Sequence, residues 1–142
     1  MSSPEDRANE SNRRIIEEFR ASHGKVGGNF AGAPLLLLHT TGAKSGDEWI
    51  NPVMYQDVGE GQVAIFASKG GAPSHPDWYH NIVAHPEVVV EIGAQTRPAR
   101  ARVALPAERA TIWSRQKADF PNFADYEAKT DREIPVVILE FA

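Results

Sequence analysis

The stretch Phe66–Asn81 (FASKGGAPSHPDWYHN) gathers more potential chemistry than any other part of the chain. An apolar run, Val63–Ala67, gives way to Ser68-Lys69-Gly70-Gly71, which places a hydroxyl, an ammonium and freely turning backbone together. A polar turn follows, and Pro76 then opens a helix that carries Trp78, Tyr79 and Asn81. The free N–H groups and positive dipole end of that helix add to the same corner. Such a corner suits an anionic or carbonyl-rich planar ligand. A plain Gly-rich turn before a capped helix accounts for the same residues. The second candidate is Lys44-Ser45, framed by Gly42 and Gly46. Here Gly lets the backbone approach a ligand, Lys supplies charge and Ser a hydroxyl. The spacing is not that of a nucleotide P-loop, and a strand rather than a helix follows. A solvated hairpin turn is the competing reading.

Other catalytic patterns are weak. His75, His80 and His85 recur every five residues, a step that does not align them on one helical face. The chain has no Cys, which removes disulfides, thiolate catalysis and Cys-based zinc or iron–sulfur ligation. No metal site is expected. His39 lies in an apolar run and reads as a hydrogen-bonded core group. No G-x-S-x-G elbow is present for a serine hydrolase. Phe120, Phe123 and Tyr126 are three residues apart and would share one side of a helix. They read as core filling, or as the wall of an aromatic pocket with the Tyr126 hydroxyl as a polar handle.

The elements that must position these residues follow from periodicity. Residues 1–8 read as a disordered lead, and 9–142 as a single domain opening with a helix over 9–23. Ile15, Ile16 and Phe19 form the narrow apolar stripe of that helix. Its charges are mixed, which favours packing on the domain over contact with a membrane surface. Strands are expected at Pro34–Thr41, Trp49–Val58, Val63–Ala67, Glu87–Ile92, Thr96–Leu105 and Ile134–Phe141. Pro52 marks an edge or bulge in the second. In the fifth, Ala99, Ala101, Val103 and Leu105 should share a face. Helices are expected at Pro76–Ala84 and Pro106–Ala118, the latter with Ala110, Trp113 and Lys117 at helical spacing, and Phe120–Thr130 should be irregular or weakly helical. Six short antiparallel strands with flanking helices predict an α+β, mainly β fold: a small closed or half-closed barrel. At 142 residues with a net charge of −4, the chain is one domain and lacks the basic footprint of a nucleic-acid binder. No apolar run is long enough to cross a bilayer. A cytoplasmic location is expected, with peripheral membrane association through the first helix at most.

The order PLLLLHTTGAKSG, NPVMY, ASKGGAPSHPDWYHNIVAHPEV and ADYEAKTDREIPVVILE resembles the deazaflavin-dependent nitroreductases. These are actinobacterial reductases that use coenzyme F420. The likeness runs in register over roughly residues 10–142. It implies a split β-barrel and hydride transfer from the reduced deazaflavin to quinones, nitroaromatics or conjugated lactones such as coumarins and aflatoxins. By that resemblance Lys44, Ser45 and Gly46 hold the phosphate and acidic tail of the cofactor. Pro52 and Met54 add to the cofactor site, and Ala67, Ser68, Lys69 and Gly70 lie against the ring. Pro76, Trp78, Tyr79 and Asn81 close the site. Tyr55, Phe120, Phe123 and Tyr126 line the substrate pocket, and Ser68 and Tyr126 are the catalytic candidates. Many relatives carry Arg in place of Ala43, a basic residue in place of Trp49, and some Tyr in place of Phe120 and Phe123. The same barrel could hold FMN instead. A non-catalytic carrier of F420, FMN, haem or a fatty acid is the alternative class, and a homodimer is compatible with either.

Overall fold

The structure, a computed structural model, describes residues 10–27 and 33–142. The expected disordered lead and most of the Gly-rich loop before the first strand lie outside them. The chain runs α1 (Glu10–Ala21), β1 (Leu35–Thr41), β2 (Glu48–Gly59), β3 (Gln62–Phe66), α2 (Asp77–Ala84), β4 (Glu87–Ile92), β5 (Gln95–Val103), α3 (Pro106–Asp119), α4 (Asn122–Lys129) and β6 (Val136–Phe141). The six strands close into an all-antiparallel barrel in the order β1-β2-β3-β6-β5-β4. Closure leaves no exposed sheet edge to manage. The β1–β4 seam is narrow, running only from Leu37↔Glu91 to His39↔Val89.

Continuous apolar strands arise because both faces of the sheet are covered. Leu36 and Leu38 join Val63, Ile65, Val137 and Leu139 inside the barrel. Leu35 and Leu37 point outward and pack under Ile16 and Phe19 of α1. Ala64, Phe66, Val136 and Ile138 also point outward, beneath Ile112 and Trp113 of α3 and Phe123 of α4. Each large apolar side chain buried this way contributes about 1.5–3 kcal/mol. The apolar stripe of α1 is therefore spent on the barrel, with Ile16 and Phe19 at most 1% exposed. Among the described residues no helix is long and apolar enough to cross a membrane.

Pro52 pairs with Leu37 of β1 but lies outside the β2–β3 ladder, which begins at Tyr55↔Ile65. Its missing N–H therefore costs no sheet hydrogen bond on that side, as the edge reading expected. The expected alternation in the fifth strand fails at its end. Val103 and Leu105 are exposed and Ala104 is buried, its N–H bonded to Val136 O. The chain leaves the ladder there to start α3, and Glu108 takes the Leu105 N–H at 3.0 Å. The buried face of α3 is Ile112, Trp113 and Gln116 rather than Ala110, Trp113 and Lys117. The segment read as weakly helical is the helix α4.

Candidate functional site

Helix α2 stoppers one end of the barrel. Trp78 and Ile82 enter the interior cluster. The other side of the same helix, with Asp77, His80 and Asn81, faces a cleft of about 880 Å³. Its remaining walls are Asn12 of α1, the β1–β2 turn from Gly42 to Ser45, and Trp49, Ile50 and Asn51 of β2. The volume lies in the range of small-molecule and cofactor sites.

The β1–β2 turn is rigid because its backbone bonds to itself. Gly42 N–H donates to Asp47 O at 2.7 Å, Gly46 N–H to Gly42 O at 3.0 Å, and Asp47 N–H to Ser45 Oγ at 3.1 Å. Buried Asn81 clamps this turn to α2. Its Oδ1 accepts the Ala43 N–H at 2.9 Å and its Nδ2 donates to Thr40 Oγ1 at 3.1 Å. Asn81 thus positions the turn more than it offers groups to a ligand. The Lys44 ammonium has no protein partner among the described residues and stands at the cleft. The Ser45 hydroxyl keeps its hydrogen to donate. One carboxylate, that of Asp77, also faces the space.

A second locus follows β3. Ser68 has right-handed helical dihedrals (φ −78°, ψ −37°), Lys69 is left-handed (φ 48°), and so is Gly70 (φ 63°, ψ 21°). That succession turns consecutive N–H groups into one concavity. Gly71 N–H returns to Ser68 O and Ala72 N–H to Lys69 O, while the N–H groups of Ser68, Lys69 and Gly70 have no partner among the described residues. A left-handed Lys is an uncommon, mildly strained conformation of the kind that gathers at ligand sites.

Helix α4 packs on this turn. A Cβ on Gly71 (φ +84°) would meet Tyr126 O at 2.7 Å, so only Gly fits. The Tyr126 hydroxyl accepts Asn122 Nδ2 at 3.0 Å. Phe123, only 4% exposed, sits edge-on to Phe66 and near Trp113, as part of the core. Phe120 and Tyr126 are half-buried against the same outer cluster. Tyr55 faces the barrel interior instead, and burial, then the Asp57 carboxylate, raises its phenol above the ordinary 10.0. Tyr55 and Tyr126 therefore lie on opposite faces of the sheet. Pro76 is buried and precedes α2, Tyr79 packs at the barrel mouth, Ala67 is fully buried, and Met54 lies between the two outer clusters. Gly46 turns the β1–β2 hairpin at φ +74°.

The residues expected to form one site thus fall in two loci flanking α2. Lys44, Ser45, Trp78 and Asn81 gather at the cleft, and Ser68, Lys69, Gly70 and Tyr126 at the β3 end. His75, His80 and Tyr79 lie between, with the His75 ring 4.7 Å from Tyr79 and 5.9 Å from His80. No metal-binding group of His and carboxylates occurs among the described residues. His39 is hydrogen-bonded as expected, its Nε2 to Glu91 Oε2 at 2.6 Å. Arg20 binds the same carboxylate through two nitrogens and ties α1 to β4. Burial would raise the Glu91 carboxyl, but the Arg20 and His39 hydrogen bonds hold it below its ordinary value. Sequence reasoning missed Arg132. Its guanidinium donates to Ala72 O (2.9 Å), Ala67 O (3.1 Å), Ser68 O (2.8 Å) and His75 Nδ1 (2.9 Å). In the sequence it stands between Asp131 and Glu133 and looks like one member of a solvated charge run.

A closed six-stranded barrel stoppered by a short helix, with a cofactor-sized cleft beside the stopper, defines a split-barrel cofactor-binding protein. The sequence profile of the F420H(2)-dependent quinone reductases matches residues 11–141. An F420H(2)-dependent quinone reductase of Mycobacterium tuberculosis (strain H37Rv) is 37% identical over 125 residues, spanning 85% of this chain and 83% of that protein. A solved F420-H2 dependent reductase is 43% identical with a TM-score of 0.67, over 75% of this chain and 94% of the other. Another solved structure, a domain-swapped dimer, is 39% identical with a TM-score of 0.69, over 97% of this chain and 100% of the other. The chain belongs to the F420H(2)-dependent quinone reductase family, and its cofactor is reduced coenzyme F420.

Proposed function

We propose that this chain moves hydride from reduced F420 to flat, electron-poor acceptors: quinones first, then nitroaromatics and conjugated lactones of the coumarin and aflatoxin type. The observation that carries this reading is the pairing of an unpartnered Lys44 at the cleft with three unpartnered N–H groups at Ser68–Gly70 on the other flank of α2. The donor set fits the cofactor: a cation and a hydroxyl for its acidic tail, and backbone N–H groups with neighbouring aromatic surface for its ring. When bound, the cofactor supplies the hydride.

The protein supplies position and polarity. Lys44 and Ser45 hold anionic oxygen at the cleft, while Asn81 keeps their turn in place. Trp78, buried at the foot of the cleft, keeps water from the barrel end. The Ser68 hydroxyl and the Tyr126 hydroxyl are the donors for negative charge developing on the acceptor's oxygen, and either can pass a proton to it. Bringing the reacting partners to near-attack distance then provides most of the remaining acceleration. A homodimer accords with the domain-swapped relative.

The deciding experiment mixes the protein with reduced F420 and menadione and follows the return of deazaflavin absorbance, then repeats it with a nitroaromatic and a coumarin. Turnover with menadione is expected. In Tyr126→Phe, kcat should fall about tenfold or more with the F420 Kd within about twofold, the pattern of a transition-state contact. F420 binding with no turnover on any acceptor would overturn the reading in favour of a carrier.

A further inference from the structure

We propose that Arg132 is a positioning residue of this site: it sets the Ala67–Ala72 turn from behind and places an uncompensated positive charge beneath it, with neutral His75 as its side-chain acceptor. The inference rests on the functional reading above for what the turn binds. The geometry of the brace stands by itself.

Three of the four contacts made by this guanidinium end on the turn and the fourth on His75, three residues beyond it. Nε binds Ala72 O, Nη1 binds Ala67 O and His75 Nδ1, and Nη2 binds Ser68 O. Every carbonyl so held is drawn toward Arg132. A peptide unit whose C=O is turned one way points its N–H the other. The Ser68–Arg132 bond therefore helps direct the Lys69 N–H outward, and the Ala67 bond does the same for the Ser68 N–H. The unpartnered N–H groups of Ser68 and Lys69 are the front of the structure whose back Arg132 holds, and the Gly70 N–H is set beside them by the bond from Ala72 N–H to Lys69 O.

The charge matters as much as the shape. Among the described residues no carboxylate pairs with Arg132, although three backbone carbonyls and an imidazole solvate it. Charged side chains withdrawn from water are ordinarily paired with an opposite charge. An unneutralised cation behind an array of N–H donors favours negative charge in front of it, such as would develop on an acceptor as it is reduced. A Lys in the same place would keep the charge and lose the fork.

His75 completes the arrangement. Its Nδ1 accepts from Arg132, so its proton sits on Nε2. The groups facing His75 among the described residues are Arg132 from the segment before β6 and Tyr79 and His80 of α2, and the Lys69 ammonium reaches the hydroxyl of the adjacent Ser74 at 3.4 Å. None is a carboxylate that would welcome a protonated imidazole. Burial first, then Arg132 and His80, hold His75 below its ordinary 6.5. The unfolded chain binds the proton more readily than the folded one. The brace is therefore at full strength above about pH 6.5 and weakens as pH falls through the lower folded value.

The test uses full-length protein and begins without cofactor. Amide exchange is measured at Ala67, Gly71 and Ala72, whose N–H groups are bonded to Pro135 O, Ser68 O and Lys69 O. In Arg132→Met these amides should exchange about tenfold faster than in the wild type, with β1 amides unchanged, and oxidised F420 should bind about tenfold more weakly by Trp fluorescence. Arg132→Lys should keep the fast exchange and recover part of the affinity. His75→Asn retains an acceptor that does not titrate, so the fall in protection factor expected of wild type as pH drops below about 6.5, after correction for the intrinsic exchange rate, should vanish in it. Unchanged exchange at Gly71 and Ala72 in Arg132→Met, or Arg132→Lys matching wild type in both readouts, overturns the proposal. So does an identical acid limb in wild type and His75→Asn. Should Arg132→Met fail to fold, Arg132→Lys and His75→Asn decide alone. If wild type does not bind F420 but the exchange pattern holds, the functional reading falls and the brace stands.

Discussion

The two Gly-containing turns beside α2 carry the same pair of residues in opposite order, Lys44-Ser45 and Ser68-Lys69, yet they are held differently. In the β1–β2 turn the N–H groups of Gly42, Ala43, Gly46 and Asp47 are bonded within the protein while those of Lys44 and Ser45 find no partner among the described residues, so the turn presents an ammonium and a hydroxyl beside two N–H groups. In the turn after β3 the carbonyls of Ala67, Ser68, Lys69 and Ala72 are engaged and three N–H groups are left outward, so it presents backbone. The first suits a charged, loosely placed tail, because a lysine head on a flexible stem tolerates variation. The second suits a rigid planar ring, because backbone donors are fixed. Composition alone is nearly the same in both. What separates them is how each is held: Asn81 clamps the first through the Ala43 N–H, and Arg132 braces the second through its carbonyls.

The sharpest test of that contrast is steric. Gly71→Ala would place a methyl 2.7 Å from Tyr126 O in a left-handed conformation. The combined strain and clash should cost about 3 kcal/mol, or roughly 10 °C in Tm. Gly46→Ala in the other turn has the same sign of φ and open space around it. It should cost only about 1 kcal/mol. Equal losses of Tm for the two variants would show that α4 does not hold the second turn as described.

A smaller effect tests the clamp on the first turn. Asn81→Ala removes two hydrogen bonds at once, leaving the Thr40 hydroxyl buried and the Ala43 N–H able to reach water. The expected loss is about 2 kcal/mol. F420 affinity should fall as well although Lys44 is intact, because the turn that carries it is released. Calorimetry and a fluorescence titration read the two separately. A stability loss with unchanged affinity would mean that Asn81 holds α2 but not the ligand turn.

The barrel was legible because its strands announce themselves. PLLLLHTT and IPVVILEF are short apolar runs rich in branched residues, bounded by Gly or Pro, a pattern that reads as strands covered on both faces. Lys44 and Ser68 stood out as candidates because Gly, Lys and Ser coincide there. The split of the site into two loci was not, because alternation does not say which face of a strand a helix will later cover. Tyr55 and Tyr126 were placed in one pocket by the family resemblance, and the structure sets them on opposite faces of the sheet. Val103 and Leu105 continued a pattern in the sequence, and only the capping of α3 by Glu108 ends it. Arg132 was invisible in principle: its partners are backbone carbonyls more than fifty residues away, and carbonyls leave no mark on a sequence.

The finest test compares the two lysines directly. Lys44→Ala removes the ammonium through which the first turn would act, so the F420 Kd should rise about tenfold at low salt. The gap from wild type should narrow at about 0.5 M salt, since an exposed charge is screened. Lys69→Gly removes the other ammonium but keeps, and indeed eases, the left-handed backbone at φ 48°. It should leave the Kd within about twofold, insensitive to salt, and raise Tm slightly by relieving about 1 kcal/mol of strain. If Lys69→Gly instead weakened binding as much as Lys44→Ala, both turns would be working through their side chains. The outward N–H groups of Ser68, Lys69 and Gly70 would then be incidental to the site.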